Sequence, residues 1–218
     1  MTKKEKVKHV INSLNEHYPT EKVCYLNYNQ DYELLFATIL SAQCTDDRVN
    51  IVTKDLFAKY TCLEDYANAD LNELCQDVKP TGFYRNKGAH LQNAARRLLD
   101  HYGGVLPHEV EELTTLAGVG RKTANVVRCH IFDLPSVVVD THVKRITGKL
   151  GLTKETDPVK IEFALMKILP QESWIAYNHQ LIAHGRVICK APTPKCDTCF
   201  MTEVCSFYQK AHKKTKKG

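Results

Sequence analysis

Two groups of side chains in this 218-residue chain could do chemistry. The first is Cys189-x6-Cys196-x2-Cys199-x5-Cys205, four thiols within 17 residues. In a reducing compartment, thiols this close imply a bound metal rather than disulfides. The polar stretch between them, with Pro192 and Pro194, does not read as a buried apolar segment. Thiolate chemistry alone leaves both zinc and an iron–sulfur cluster open. The second group is Lys122 and, eighteen residues on, Asp140 in Val139-Asp140-Thr141-His142-Val143. A lysine is a nucleophile only as the neutral amine, against an ordinary pKa of about 10.4. The positive end of a helix, with Arg121 alongside, disfavours its charged form. The same position suits a surface lysine that merely holds a phosphate. Asp140 follows an apolar run and precedes a helical pattern, so it reads as an N-cap, which is also a rigidly held anion.

Lys122 must be positioned by Gly118-Val119-Gly120-Arg121-Lys122-Thr123. Two glycines separated by one residue permit a tight reversal between helices and a close backbone approach to a large ligand. The helix that follows at once presents its first N–H groups with the positive end of its dipole, a geometry that suits phosphate. Backbone donors of this kind grip a polynucleotide without reading its sequence. A bare Gly-x-Gly would be an ordinary helix–turn–helix corner. The cationic Arg121-Lys122 pair and the Thr123 hydroxyl favour phosphate binding.

Apolar periodicity is helical along nearly the whole chain. Asp31 and Thr45 are candidate caps for helices through Leu34–Leu40 and Val49–Phe57. Pro80-Thr81-Gly82 marks a turn, Ala89–Tyr102 a helix, and Gly103-Gly104 its end. Further helices are expected over Glu109–Leu116, Arg121–Ile131, Val143–Leu150, Val159–Leu169 and Trp174–Val187. Only Val137-Val138-Val139 looks extended, too little for a sheet, so the predicted class is all-α. Lysine-rich ends, Met1–Lys8 and Lys210–Gly218, read as solvated basic arms. Hydrophobic residues make up 43% of the chain and the formal net charge is +5, which fits a folded protein and permits a polyanionic partner. No apolar run reaches the roughly 18 residues of a membrane span, and Met1–Val10 lacks the apolar core of a secretory signal. A reducing, cytoplasmic setting is therefore expected. Cys24, Cys44, Cys62, Cys75 and Cys129 share no spacing, and Cys129 falls in a helical apolar stretch as a core residue.

The hairpin segment from Leu113 to Val127 resembles the helix-hairpin-helix of the endonuclease III family of DNA glycosylases, and the likeness runs from about residue 20 to about residue 205. The Val-Asp-Thr-His motif and the cysteine spacing match the same family. The resemblance implies two helical lobes flanking a DNA groove: a six-helix barrel lobe over 22–134, and an iron–sulfur lobe built from 1–21 and 135–218. It implies Lys122 and Asp140 as the catalytic pair, and Cys189, Cys196, Cys199 and Cys205 as ligands of a structural [4Fe–4S] cluster. It implies DNA contacts from Gly118, Val119, Gly120, Arg121 and Thr123 in the hairpin, and from Lys190 and Lys195 on the cysteine loop. Gln43, in Ser41-Ala42-Gln43-Cys44-Thr45-Asp46, would fill the space left by an extruded base. Phe83, in Thr81-Gly82-Phe83-Tyr84-Arg85-Asn86-Lys87, would wedge between bases, although composition alone makes it a core residue. His142 would be a further contact, or simply a histidine at a helix start. Two departures stand out: Ala117 where the family usually has proline, and Phe83 where leucine is common.

The implied activity is removal of oxidised pyrimidines from damaged duplex DNA by a monomeric, nucleoid-associated enzyme of bacterial type, with strand cleavage through a lysine Schiff base. A glycosylase without lyase activity is a weaker fit, because such relatives typically lack a lysine at the position of Lys122. A non-catalytic iron–sulfur DNA-binding or electron-transfer module would need neither Lys122 nor Asp140.

Overall fold

The computed structural model describes residues 1–215; residues 216–218 and the side chains beyond Ala211 fall outside it, and with them four of the five lysines of the C-terminal basic arm. The described residues form twelve α-helices and three short 3-10 turns, with no strand, so the expected all-α class holds. The chain divides into two compact units, Cys24–Leu134 and the combination of Met1–Val23 with Pro135–Gly218.

In the unit Cys24–Leu134 the helices are α2 (Asp31–Leu40), α3 (Asp46–Lys59), α4 (Leu63–Asn68), α5 (Leu71–Asp77), α6 (Tyr84–Tyr102), α7 (Val110–Leu113) and α8 (Arg121–Ile131). Every residue of α2 from Glu33 to Leu40 is buried, as a helix apolar on all sides should be. Glu33 is tolerated there because its carboxylate accepts the backbone N–H groups of Asn29 and Gln30. Thr45 caps α3 by accepting the Arg48 N–H, as its type and position suggest. Around α2, helix α6 turns inward Leu91, Ala94, Ala95 and Leu98, the i, i+3, i+4, i+7 stripe of one helical face. Gly88 lets α5 and α6 touch, since a Cβ there would lie 2.6 Å from the Cys75 sulfur and 3.1 Å from its Cα. Cys129 is buried in α8, as expected.

The other unit contains α1 (Lys3–His17), α9 (Thr141–Leu150), α10 (Pro158–Met166), α11 (Trp174–Val187) and α12 (Ser206–Thr215). Here the basic N-terminal arm is corrected: it is a helix. Thr2 and Glu5 form a reciprocal capping box, and Val7, Val10 and Leu14 pack one face of α1 into the core. Lys3, Lys4 and Lys6 precede these apolar positions and Lys8 falls among them, which masks their spacing. Val137-Val138-Val139 is buried but forms no strand; it crosses the core as irregular chain. Other boundaries move as well. Helix α6 begins at Tyr84 rather than Ala89, and the helix expected over Glu109–Leu116 is reduced to the four residues of α7.

Candidate active site

The hairpin is closed by a hydrogen bond from the Val119 N–H to the Leu116 carbonyl at 3.1 Å. Gly118 has φ of 77°, and a Cβ on it would sit 2.7–2.9 Å from atoms of the His90 side chain on α6. Glycine is thus required there twice, by backbone and by packing. Gly120 differs. Its φ is −93°, and a Cβ would meet nothing within 4 Å. Among the described residues nothing packs against this position, so a Cβ at 120 would point into open space. As the N-cap of α8 it also brings no side-chain acceptor to the first-turn N–H groups.

The residues after Gly120 differ in exposure. Lys122 is exposed and Arg121 half-buried, while Thr123 and Asn125 are buried. Val119 turns its side chain into the core at 7% exposure, and its N–H is consumed by the turn. It therefore has no donor left for a phosphate. Its part within the hairpin is packing.

Asp140 is the N-cap of α9, as expected. Its Oδ1 accepts the Val143 N–H at 2.7 Å, and its Oδ2 lies 3.1 Å from Nδ1 of His142. Both carboxylate oxygens are therefore held, with the side chain 17% exposed. His142 is fixed on its other side by α11: a Cβ on Gly185 would lie 2.4 Å from the His142 Cδ2 and 2.9 Å from an Arg145 guanidinium nitrogen.

Gln43 and Phe83 share an unusual feature. Both are non-glycine residues in the left-handed region, with φ of 54° and 47°, a conformation that a residue with a Cβ adopts at a cost. Both are exposed, Phe83 by 64%, which removes the core reading that composition suggested for it. The chain segments that carry them meet at Lys87, whose charge sequence reasoning left unused. Lys87 is 4% exposed, and its ammonium donates to the Leu40 carbonyl and to the Thr81 carbonyl, each at 2.8 Å. Burial pulls this ammonium below the ordinary lysine range.

Cys189, Cys196, Cys199 and Cys205 are half-buried and line one cavity together with Ile146, Leu150 and Met201. Burial is the main cause that pushes the thiols of Cys189, Cys196 and Cys199 upward, so a cation is needed to hold them as thiolates. Among the described residues, no three His, Cys, Asp or Glu side chains form a group that could hold one metal ion. Four soft thiol donors lining one cavity suit a thiophilic metal, and thiolate chemistry accommodates zinc and iron–sulfur clusters alike. Sequence reasoning missed His184, a buried α11 residue whose Nε2 is 3.7 Å from the Cys199 sulfur and whose Nδ1 is 3.1 Å from the Tyr18 hydroxyl. Lys190 and Lys195 on this loop are exposed, and their N–H groups share the Ile188 carbonyl.

A glycine hairpin, a lysine at the mouth of the following helix and a helix-capping aspartate on an all-α fold are the features of a helix-hairpin-helix base-excision glycosylase. The sequence model described as HhH-GPD superfamily base excision DNA repair protein matches residues 36–171. Curated relatives named endonuclease III are 45% identical over 205 residues in Synechocystis sp., covering 94% of this chain and 93% of the relative, and 45% identical in Bacillus subtilis, covering 88% of each. A solved endonuclease III, titled as a trapped covalent intermediate with DNA, superposes with a TM-score of 0.91 at 40% identity, covering 97% of this chain and all of that one. A thermostable thymine-DNA glycosylase superposes at 0.80 with 25% identity, over 95% of this chain and 97% of that one. The chain belongs to the endonuclease III family of base-excision DNA glycosylases. Among the described residues no helix is long and apolar enough to cross a membrane.

Proposed function

We propose that this enzyme excises oxidised pyrimidines from duplex DNA and then cleaves the strand 3′ to the abasic site, with Lys122 as the covalent nucleophile and Asp140 as its anionic partner. The observation that carries the reading is the first turn of α8. An exposed lysine there follows a glycine whose bareness no packing within the chain explains.

The damaged nucleotide leaves the duplex stack, since its glycosidic carbon is out of reach inside it. The N–H groups from Gly118 to Thr123, without that of Val119, hold the strand by its phosphates, and Arg121 adds charge. The neutral Lys122 amine attacks C1′, and the bond to the base breaks with its electron pair leaving on the base, which takes up a proton. Both oxygens of Asp140 are held by hydrogen bonds, which supports its role as an anion that stabilises positive charge on the sugar without having to reorganise. Loss of the amine proton and opening of the sugar ring give a Schiff base between Nζ and C1′. That iminium makes the C2′ proton acidic, and its removal expels the 3′ phosphate by β-elimination. Gln43, Phe83 and His142 contact the opened duplex, while Lys190 and Lys195 contact its backbone.

The residues at 189, 196, 199 and 205 would hold a [4Fe–4S] cluster. When bound it supplies cross-linking of the loop that carries the two lysines, and no step of bond cleavage. We assign the two helical lobes to the two compact units, and a DNA substrate supports the reading of a nucleoid-associated enzyme. Borohydride reduction during turnover of a thymine-glycol duplex should trap a covalent protein–DNA adduct, and Lys122→Gln should give none. An adduct formed at full yield by that variant would take the nucleophile's role away from Lys122.

A further inference from the structure

We propose that Lys87 is a positioning residue that locks the Gln43 and Phe83 segments into the conformation that engages opened DNA. The proposal rests on the reading of those two side chains as the ones that occupy the helix when a base is extruded.

One nitrogen bonds two carbonyls, so the Leu40 and Thr81 oxygens can be no further apart than twice 2.8 Å. Leu40 is the last residue of α2, and Thr81 ends the 3-10 turn Lys79–Thr81. Both are helix C-terminal carbonyls, which lack an intrahelical partner and carry the negative end of their dipoles. A buried ammonium between two such ends is electrostatically matched, which accounts for a charge at 4% exposure without a carboxylate hydrogen-bonded to it. Gln43 lies three residues beyond one anchored carbonyl, and Phe83 two beyond the other. Each then takes a left-handed turn that its Cβ opposes, and each side chain projects into solvent. The Lys87 backbone closes the arrangement, because its N–H donates to the Phe83 carbonyl at 3.0 Å. Strained, exposed, non-glycine positions hold their shape only where the surroundings over-determine them. Here the surroundings are one lysine shared by both segments.

The test uses the full chain and a duplex with a tetrahydrofuran abasic analogue opposite 2-aminopurine. That probe binds without turnover and reports base unstacking by fluorescence. Lys87→Met is expected to bind undamaged duplex within twofold of wild type, since the α8 hairpin is untouched. It should lose at least tenfold in preference for the analogue duplex and most of the 2-aminopurine signal. Adding Lys87→Met to a Gln43→Ala, Phe83→Ala background should cost no further preference. A merely structural role would lower the melting temperature and leave the preference of the folded protein intact; that result, with an unchanged fluorescence signal, would overturn the proposal. Should Lys87→Met fail to fold, Lys87→Gln carries the same test, because its amide is one bond too short to span both carbonyls. If Gln43→Ala and Phe83→Ala leave preference and fluorescence unchanged, the reading of those residues fails and this proposal falls with it. If they abolish both while a folded Lys87 variant does not, only the role of Lys87 falls.

Discussion

Asp140 is assigned two jobs, and its geometry allows them to be separated. As N-cap of α9 it accepts the Val143 N–H at 2.7 Å. As an anion it is held ready for charge on the sugar. The Asp140→Asn variant would keep the first job, since asparagine and aspartate cap about equally well, whereas Asp140→Ala would lose it at a cost of about 1 kcal/mol (range about 0.5–2). For a chain of this size about 1 kcal/mol corresponds to a fall of roughly 2–4 °C in melting temperature. The second job is lost in both variants. A preorganised charge facing a developing charge contributes on the order of 10²–10³ in rate. Asp140→Asn should therefore melt close to wild type, yet excise base at least about a hundredfold more slowly under single-turnover conditions. Asp140→Ala should show the same rate loss with the lower melting temperature. Thermal unfolding by circular dichroism and single-turnover excision on one thymine-glycol duplex measure both quantities. Excision by Asp140→Asn within threefold of wild type would refute the anionic role. One complication is built in: the asparagine NH2 would face the Nδ1 of His142, which sits 3.1 Å from Oδ2, and the ring must then present an acceptor there. The double variant with His142→Ala checks whether any residual loss comes from that ring.

The two hairpin glycines should respond oppositely to a single methyl. Gly120→Ala meets open space at an ordinary φ, and the entropic gain is offset because alanine caps a helix less well than glycine, so stability should change by less than about 1 kcal/mol, while duplex affinity falls about tenfold or more through the methyl's clash with the strand. Gly118→Ala meets His90 at a left-handed φ and should cost at least about 1–2 kcal/mol of stability. Unfolding and gel-shift titrations on both variants compare them directly. Lys190→Ala and Lys195→Ala should each reduce the slope of log affinity against log salt by about 1 without altering lesion preference. Cys199→Ser should abolish a broad visible charge-transfer band present in freshly purified wild type and lower the melting temperature; colourless wild type with one equivalent of zinc would reject the cluster.

Much of the fold was readable because the strongest signals were local. Helix α8 starts at a glycine cap and α11 at the end of a proline-led turn, and both have the limits that their sequence patterns indicate. Where reading went astray, a competing local signal outweighed a tertiary one. Four lysines in the first eight residues suggested an arm, although Val7, Val10 and Leu14 already had helical spacing. Val137 to Val139 has the β-branched composition of a strand, but it has no partner strand and serves only to fill the core. The short helices α4 and α5 contain too few turns for periodicity to register.

The candidate site divides along the same line. The hairpin, the Asp140 cap and the cysteine quartet are defined by residues close in sequence, so type and spacing suffice to find them. Lys87 could not be found that way. Lys87 stands between Asn86 and Gly88, ahead of the helix expected from Ala89, where nothing in the sequence marks it as buried. Its partners are carbonyls six and 47 residues away, and backbone carbonyls leave no trace in a sequence. One indirect signal was available. A glycine at 88 beside a helical pattern hints at a close helix contact, and in the structure Gly88 packs on Cys75. A cation placed there by the chain must find oxygen or be expelled, and the oxygens it finds belong to the two segments that lead into Gln43 and Phe83.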